Sequence, residues 1–532
     1  MHICAIQALE SWKRQAIALL AGTLTALALP PVIFFPICFF TFTAFVWLLD
    51  DIYKTRTRTI CQRCRLAMLT GWSFGFGYFV AGLWWLGSAM LIDITTYGWT
   101  IPFAVLGLPA FLAFFYAFAA FAAFLLWQRG YGRIVALAFA FGLAEWLRSW
   151  MFTGFPWNAI GYTAMPSPLL MQPAALVGLY GMNALAVLVY ATPALVSERK
   201  DRKTGFAIAI ILIAADIGFG FYQLGNLPPT DRTVPESIRV RLVQPSIPQS
   251  EKIDDTARLL NFERHLQLTM AAPVNGAALP RLVIWPETSV PYVLEYAPAA
   301  QMRIGNALKD GQLALVGAIR VEQKENGTGG ETNRPQYFNS LQVINNEGRT
   351  VVSVDKVHLV PFGEYLPLSP FFRKLGFKAL AEVAGVYSAA ARHITIPLAN
   401  GPVILPLICY EAIFPAELDY EGPSPNVLVN ITNDAWFGNT PGPWQHFAQA
   451  RIRAVEQGMP LIRVANNGIS AIIDPYGRIM TMISHNEIGF IDIDLPEKIV
   501  SIWHRNVMSI TAFYIFMILF SCAMGLKLFR QG

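Results

Sequence analysis

Eight long apolar stretches, near 15–29, 33–49, 67–92, 102–127, 134–152, 169–196, 205–224 and 507–526, set the strongest constraint on how this chain folds. About 20 consecutive apolar residues cross a bilayer as a helix, which satisfies its own backbone hydrogen bonds in hydrocarbon. Only 14% of the 532 residues are charged, against roughly 25% in soluble domains, so lipid must solvate part of the molecule. The expected architecture is a polytopic α-helical membrane bundle of eight spans joined to a polar domain.

The loops between the stretches alternate in charge. Lys13 and Arg14 precede the first, and Lys54, Arg56, Arg58, Arg63 and Arg65 follow the second. Arg129 and Arg133 follow the fourth, Arg199, Lys200, Arg202 and Lys203 the sixth, and Lys527 and Arg530 the last. Basic loops stay in the cytoplasm, so both termini are expected there and the polar segment from about 226 to 505 outside. The domains expected are a seven-span membrane domain over 1–225, a linker over 226–236 with Pro228-Pro229, an external domain over 237–497, and a return segment and last span over 498–532. The net charge of +5 is accounted for by these loops, and no nucleic-acid partner is implied. Lys13-Arg14, the apolar run after it and Ala26-Leu27-Ala28 resemble a cleaved signal peptide, but Leu29-Pro30-Pro31 favours an uncleaved anchor.

Within the spans, Glu145 and Arg148 stand at i,i+3 and share a helix face. Two readings stay open: an ion pair that orders the bundle, or a pair that holds a polar lipid headgroup. Trp146, Trp150, Pro156 and Trp157 place aromatics at the outer interface. Gly71-Trp72-Ser73-Phe74-Gly75 has the spacing of an esterase nucleophile elbow, but it lies inside a span, where small residues four apart allow close helix packing. Cys61-Gln62-Arg63-Cys64 lacks the second ligand pair that a zinc site needs.

The external segment reads differently. Short β-branched runs near 240–243, 281–285, 314–319, 341–344, 351–354, 403–408, 427–431, 462–465, 469–473 and 488–493 alternate with helical patterns near 254–270 and 447–457. That alternation predicts one α/β sandwich. By this topology Cys409, just after the run 403–408, is the only cysteine on the non-cytoplasmic side of the membrane and has no disulfide partner there in its own chain. A thiol ending a buried strand in Cys409-Tyr410-Glu411 points to a nucleophile. Two other strand ends carry matching chemistry. Leu282-Val283-Ile284-Trp285-Pro286-Glu287 ends in a carboxylate, and Lys356 is followed at Glu364 by another. A cysteine nucleophile needs a base, and a tetrahedral intermediate needs a cation or donors for its oxyanion. Glu287, Lys356 and Cys409 meet both needs without a histidine.

In that order these residues resemble the nitrilase, or carbon–nitrogen hydrolase, superfamily. Together with the spans the chain resembles its membrane-embedded branch, the apolipoprotein N-acyltransferase family. The likeness extends over Glu145-Trp146-Leu147-Arg148, Thr153-Gly154-Phe155-Pro156-Trp157, Gln244-Pro245-Ser246-Ile247-Pro248-Gln249, Trp285-Pro286-Glu287, the run from Lys356 to Glu364, and Asn433-Asp434-Ala435-Trp436-Phe437. It departs where Lys252-Ile253-Asp254 stands in a place that often carries Trp between Lys and Asp.

The resemblance implies an αββα nitrilase-like sandwich and a bacterial inner-membrane enzyme with its catalytic domain on the periplasmic side. Such an enzyme moves an acyl chain from a phospholipid to the N-terminal amine of a diacylated apolipoprotein, with no cofactor. It implies Glu287 as general base, Lys356 as oxyanion partner and Cys409 as nucleophile. Glu364 would hold Lys356 or tune Glu287, with Trp436 in support. Tyr410 and Glu411 would shape the pocket or serve structure alone.

The stretch 366–384, with Phe371, Phe372 and Phe377 beside Arg373, Lys374 and Lys378, suits a lid at an anionic bilayer surface. Three other readings compete. One is a membrane-tethered amidase or nitrilase acting on small amides, another a Cys–His hydrolase using His358 or His446. The third is a transporter, for which no internal repeat is found. No ligand spacing for a metal and no phosphate-binding glycine loop occurs. Asn326 and Asn430 match the glycosylation pattern incidentally.

Overall fold

The computed structural model describes residues 11–55, 57–199, 201–226, 238–254, 256–323, 335–367, 387–399, 401–415, 418–499 and 507–529. They form two compact units. One draws on 1–227, 439–457 and 501–532, and the other on 228–438 and 458–500. The expected lid residues Phe371, Phe372 and Phe377, and the linker beyond Asn226, lie outside the described residues.

Among the described residues, five helices of the first unit are long and apolar enough to cross a membrane: Ile60–Leu91, Ile94–Leu125, Ala174–Ser197, Arg202–Gly225 and Thr511–Leu528. They match the third, fourth, sixth, seventh and eighth stretches, so five rather than eight meet that standard. The other three stretches do form helices, with physical reasons for falling short. Ser11–Thr25 has 15 residues. Ile37–Lys54 ends in Asp50, Asp51 and Lys54. Gly132–Arg148 has 17 residues and carries Arg133, Glu145 and Arg148.

Gly71 and Gly75 let the helix Ile60–Leu83 approach Leu108–Leu125. A Cβ on Gly71 would lie 2.4 Å from the carbonyl oxygen of Tyr116, so the pair serves helix contact. Glu145 and Arg148 are both buried. Arg148 donates to Glu145 through Nε at 3.0 Å and to the carbonyls of Phe155 and Trp157. Glu145 accepts from Tyr116 Oη at 2.7 Å and from Ile160 N at 3.3 Å. The ion pair thereby holds the 155–160 loop.

The helix Gly442–Gln457 belongs to this first unit, although its sequence position lies inside the span 237–497. Gln445 Oε1 accepts from the indoles of Trp85 (3.1 Å) and Trp157 (3.0 Å). The helix Ala174–Tyr190 breaks at Gly178, where φ is 59°. Such a break leaves N–H groups without a carbonyl one turn back. Glu456 meets this need by accepting from Leu179 N at 2.7 Å, and Ile452 and Val455 pack with Met171, Leu179 and Met182.

The second unit contains strands β1 (Arg239–Gln244), β2 (Leu282–Ile284), β3 (Leu313–Glu322), β4 (Gln336–Asn345), β5 (Thr350–Asp355), β6 (His393–Ile394), β7 (Ile396–Pro397), β8 (Val403–Ile408), β9 (Tyr420–Glu421), β10 (Val427–Thr432), β11 (Leu461–Ala465), β12 (Ser470–Ile473), β13 (Ile479–Ile483) and β14 (Gly489–Asp494). One six-stranded sheet has the order β14-β1-β2-β3-β4-β5 and the other β13-β12-β11-β10-β8-β7, while β6 and β9 pair apart. Strands β1, β2 and β3 are parallel, as are β8, β10 and β11. Such strands are buried on both faces, which is why they read as continuous apolar runs.

The sheets share one core. Val240, Leu242, Ile284, Leu315 and Leu341 of the first sheet pack in a cluster with Ile404, Ile408, Val429, Ile431 and Val464 of the second. On the outer face of the first sheet, Val243, Val283, Trp285 and Val316 pack with Phe262 and Leu266 of the helix Arg258–Met270 and Ile304 of Pro298–Ala307. Arg241 closes the end of the helix Arg258–Met270 by donating to the carbonyls of Leu268, Thr269 and Ala271, with Asp492 balancing its charge. Among the described residues this unit is layered helix, sheet, sheet. Gly442–Gln457, which contains the helical pattern near 447–457 expected within the external segment, groups with the helical unit because its Gln445, Ile452, Val455 and Glu456 find their partners there.

Candidate active site

The three candidate catalytic residues stand at strand ends of the α/β unit. Glu287 stands three residues beyond β2, Lys356 directly follows β5 and Cys409 directly follows β8. Local turns aim Glu287 and Cys409. After β2, Thr288 has φ of 44°, and Ser289 N (2.9 Å) and Val290 N (3.2 Å) donate to the carbonyl of Gly317 on β3. After β8, Cys409 itself has φ of 54° and begins the 3₁₀ turn Cys409–Ile413. A left-handed backbone on a residue with a side chain costs about 1–3 kcal/mol and persists where the surroundings over-determine it. Glu411 supplies that constraint. Its Oε2 accepts from Ile408 N at 2.6 Å, and its Oε1 from Val357 N (2.6 Å) and His358 N (3.0 Å). One buried carboxylate therefore ties the cysteine turn to the segment that follows the lysine.

Glu287 is held on both oxygens. Asn339 Nδ2 donates to Oε1 at 2.7 Å and Asn433 N to Oε2 at 2.9 Å. Lys356 Nζ lies 3.5 Å from Glu287 Oε1 and 2.9 Å from Glu364 Oε1. Asn339 also donates to Glu364 Oε1 at 2.9 Å, and Val360 N donates to Glu364 Oε2 at 2.7 Å. Burial alone would push the Lys356 ammonium down, but the Glu364 and Glu287 carboxylates outweigh it and hold the group well above the usual lysine range.

Burial pushes the Cys409 thiol up, and the charge of Glu287 pushes it further, against the opposing pull of Lys356 and of the Thr432 hydroxyl within reach of the sulfur. This direction favours the protonated thiol over the thiolate at rest. Lys252 donates to the carbonyl of Glu287 at 3.2 Å and to Thr288 Oγ1 at 3.4 Å. Burial pulls its ammonium down to about 8, although Glu287 and Cys409 favour the charged form. Behind the site, Asn433 donates to Gln249 Oε1 (2.8 Å) and accepts from Asn466 (3.0 Å), which in turn binds both backbone groups of Ile247.

Family profiles cover both units. "Apolipoprotein N-acyltransferase N-terminal domain" matches residues 21–192 and "Carbon-nitrogen hydrolase" matches residues 239–503. The chain is 48% identical over 524 residues to a curated apolipoprotein N-acyltransferase of Brucella melitensis, covering 98% of this chain and 97% of that protein. The protein of that name from Rhizobium rhizogenes is 49% identical over 492 residues, 92% of this chain and 91% of its own. The chain belongs to the apolipoprotein N-acyltransferase family. The similarity spans the helical and the α/β parts alike, so membership does not rest on the sandwich alone.

The residues singled out from sequence fall into three groups. Glu287, Lys356, Glu364 and Cys409 interact electrostatically in one cluster, which Glu411 braces. Tyr410 is buried against Phe414, with ring centroids 5.0 Å apart, and His358 stacks on the same ring at 3.9 Å. Trp436 is exposed, and Glu145 and Arg148 lie in the helical unit with His446.

Asn339, Thr432 and Arg463 join the machinery without having been picked out. Their common signal is a polar or charged side chain inside an apolar strand, as in Leu461-Ile462-Arg463-Val464-Ala465. Such a residue is expensive to bury without partners. Gly317 was missed as well. A Cβ there would lie 2.4 Å from Pro286 O and 2.6 Å from Glu287 Cα, both backbone atoms. Gly317→Ala is expected to shift the Glu287 turn, lower kcat about 100-fold and destabilise the domain by about 1–3 kcal/mol. Steady-state kinetics and denaturant melts check both, and wild-type turnover would contradict the role given to this close approach.

Proposed function

We propose that the chain is a phospholipid-dependent acyltransferase that N-acylates the N-terminal diacylglyceryl-cysteine of apolipoproteins by a ping-pong route through a thioester on Cys409. The observation that carries the reading is the hydrogen-bonded and ion-paired cluster of Glu287, Lys356, Asn339 and Glu364 in the same buried site as Cys409, whose backbone is held at a φ of 54°.

In the first half-reaction Glu287 accepts the thiol proton as the sulfur attacks the acyl ester carbonyl. Lys356 and nearby backbone N–H groups receive the developing oxyanion. The intermediate collapses with cleavage of the carbon–oxygen bond, and Glu287 returns the proton to the departing lysophospholipid. In the second, the α-amine attacks the thioester and gives a proton to Glu287. The carbon–sulfur bond breaks, the amide forms, and the thiolate is reprotonated. Lys356 keeps its charge throughout, which suits an electrostatic partner better than a proton carrier.

A lipid donor accords with the five long apolar helices. The basic loops extend this reading to eight spans, both termini in the cytoplasm, and the α/β unit on the periplasmic side of a bacterial inner membrane. The deciding experiment is mass spectrometry of the purified protein after incubation with phospholipid. An acyl adduct is expected on Cys409, discharged by a diacylglyceryl-cysteine peptide. An unmodified Cys409, or an adduct formed only from a soluble amide, would sink the proposal.

A further inference from the structure

We propose that the Thr432 hydroxyl is a rotating hydrogen-bond donor that points to Asp434 at rest and turns to the Cys409 sulfur when the thiolate forms. This rests on the reading of Cys409 as the nucleophile.

Thr432 is the last residue of β10 and is fully buried. Its Oγ1 lies 3.4 Å from Cys409 Sγ and 3.1 Å from Asp434 Oδ1. A hydroxyl has one proton to offer, so it serves one acceptor at a time. A carboxylate outcompetes a neutral thiol for that proton. Once the thiol has lost its own proton, the sulfur is an anion and the preference can reverse.

The neighbours are arranged to tolerate the exchange. Asp434 Oδ2 accepts from Arg463 at 2.8 Å, so the carboxylate keeps a cation when the hydroxyl turns away. Arg463 also donates to Asn430 Oδ1, and Asn430 Nδ2 donates to the carbonyls of Leu407 (2.9 Å) and Cys409 (3.3 Å). The circuit starts at the Cys409 sulfur and returns to the Cys409 carbonyl through four buried side chains. Gly468 leaves room for it, since a Cβ there would lie 2.1 Å from Asp434 Oδ2. The charged groups facing the thiol are Glu287 beyond β2, Lys356 beyond β5, Lys252 and Asp434. The first two handle the proton and the oxyanion. A neutral donor beside the sulfur is the component they do not supply.

The test uses the full-length protein in phospholipid nanodiscs. Thr432→Val keeps the shape and β-branching of the residue and removes only the hydroxyl. The first readout is the pH profile of iodoacetamide labelling at Cys409, located by mass spectrometry. The second is kcat and KM for phospholipid with a diacylglyceryl-cysteine peptide as acceptor. A hydrogen bond to an ionised group is worth roughly a factor of ten or more. In Thr432→Val the labelling profile should therefore move up by about one pH unit and kcat fall about tenfold, with KM unchanged. Thr432→Ser should restore both.

A wild-type profile and kcat in Thr432→Val would overturn the proposal, as would a Thr432→Ser variant as impaired as Thr432→Val, which would indicate packing alone. Acyl adduct formation on wild-type Cys409 separates the two levels. Its absence removes the nucleophile and this proposal together, whereas its presence beside an indifferent Thr432→Val removes this proposal only.

Discussion

Cys409→Ala is expected to give no acyl adduct and to lose acyl transfer by on the order of 10⁵–10⁶-fold, as removal of a catalytic nucleophile does, while its thermal melt stays close to wild type. The substitution deletes one sulfur and leaves the backbone strain unchanged, because alanine meets the same penalty at a φ of 54°. Cys409→Ser should be nearly as inactive. Burial and the Glu287 charge already push a thiol up, and both act in the same direction on an alcohol whose proton is harder to remove. Lys356 and Thr432 do not offset this even for sulfur. The measurements are intact mass after incubation with phospholipid and transfer to a diacylglyceryl-cysteine peptide. Full turnover by either variant would exclude Cys409 from the chemistry.

Glu411→Ala is expected to lose both stability and activity. The carboxylate accepts from Ile408 N, Val357 N and His358 N, and its removal strands all three donors. Leaving a buried donor unpaired costs about 1–3 kcal/mol each, and partial relaxation brings the total to about 3–5 kcal/mol. The same change releases the strained turn at Cys409 from the segment beyond Lys356, so the surviving folded fraction should also turn over slowly. Glu411→Gln keeps one oxygen acceptor and should fall between. Denaturant melts together with kcat for the folded fraction check this. A Glu411→Ala protein with wild-type stability would show that these hydrogen bonds do not hold the turn.

Much of this architecture was legible along the chain. Lipid-crossing helices need long apolar runs, and these are visible without a fold. The parallel strands β1, β2, β8, β10 and β11 were legible because burial on both faces makes them mostly apolar, with isolated exceptions such as Arg241, Asn430 and Arg463. The two-residue strands β6, β7 and β9 were not, since so short a run has no period. The helices Ile37–Lys54 and Gly132–Arg148 end in Asp50, Asp51 and Lys54 and in Glu145 and Arg148, and Glu145 is satisfied by partners elsewhere in the bundle such as Tyr116.

The helix Gly442–Gln457 shows the limit most clearly. Its place in sequence assigns it to the sandwich, but Gln445 and Glu456 find their hydrogen-bond partners at Trp85, Trp157 and Leu179, positions hundreds of residues away. The candidate site divides the same way. Glu287, Lys356 and Cys409 announced themselves as reactive side chains ending apolar strands. Asn339, Thr432, Arg463 and Gly317 did not, because their roles come from what stands opposite them.

The order of residues alone determined the solvent of each half, the buried strands and the kinds of reactive group on offer, since these follow from local polarity and period. Only the tertiary structure decided which carboxylate faces the lysine, which one braces the cysteine turn, and which hydroxyl meets the sulfur. Those pairings depend on sheet order and strand register, which bring distant strand ends within hydrogen-bonding distance and leave no trace in the spacing of any one segment.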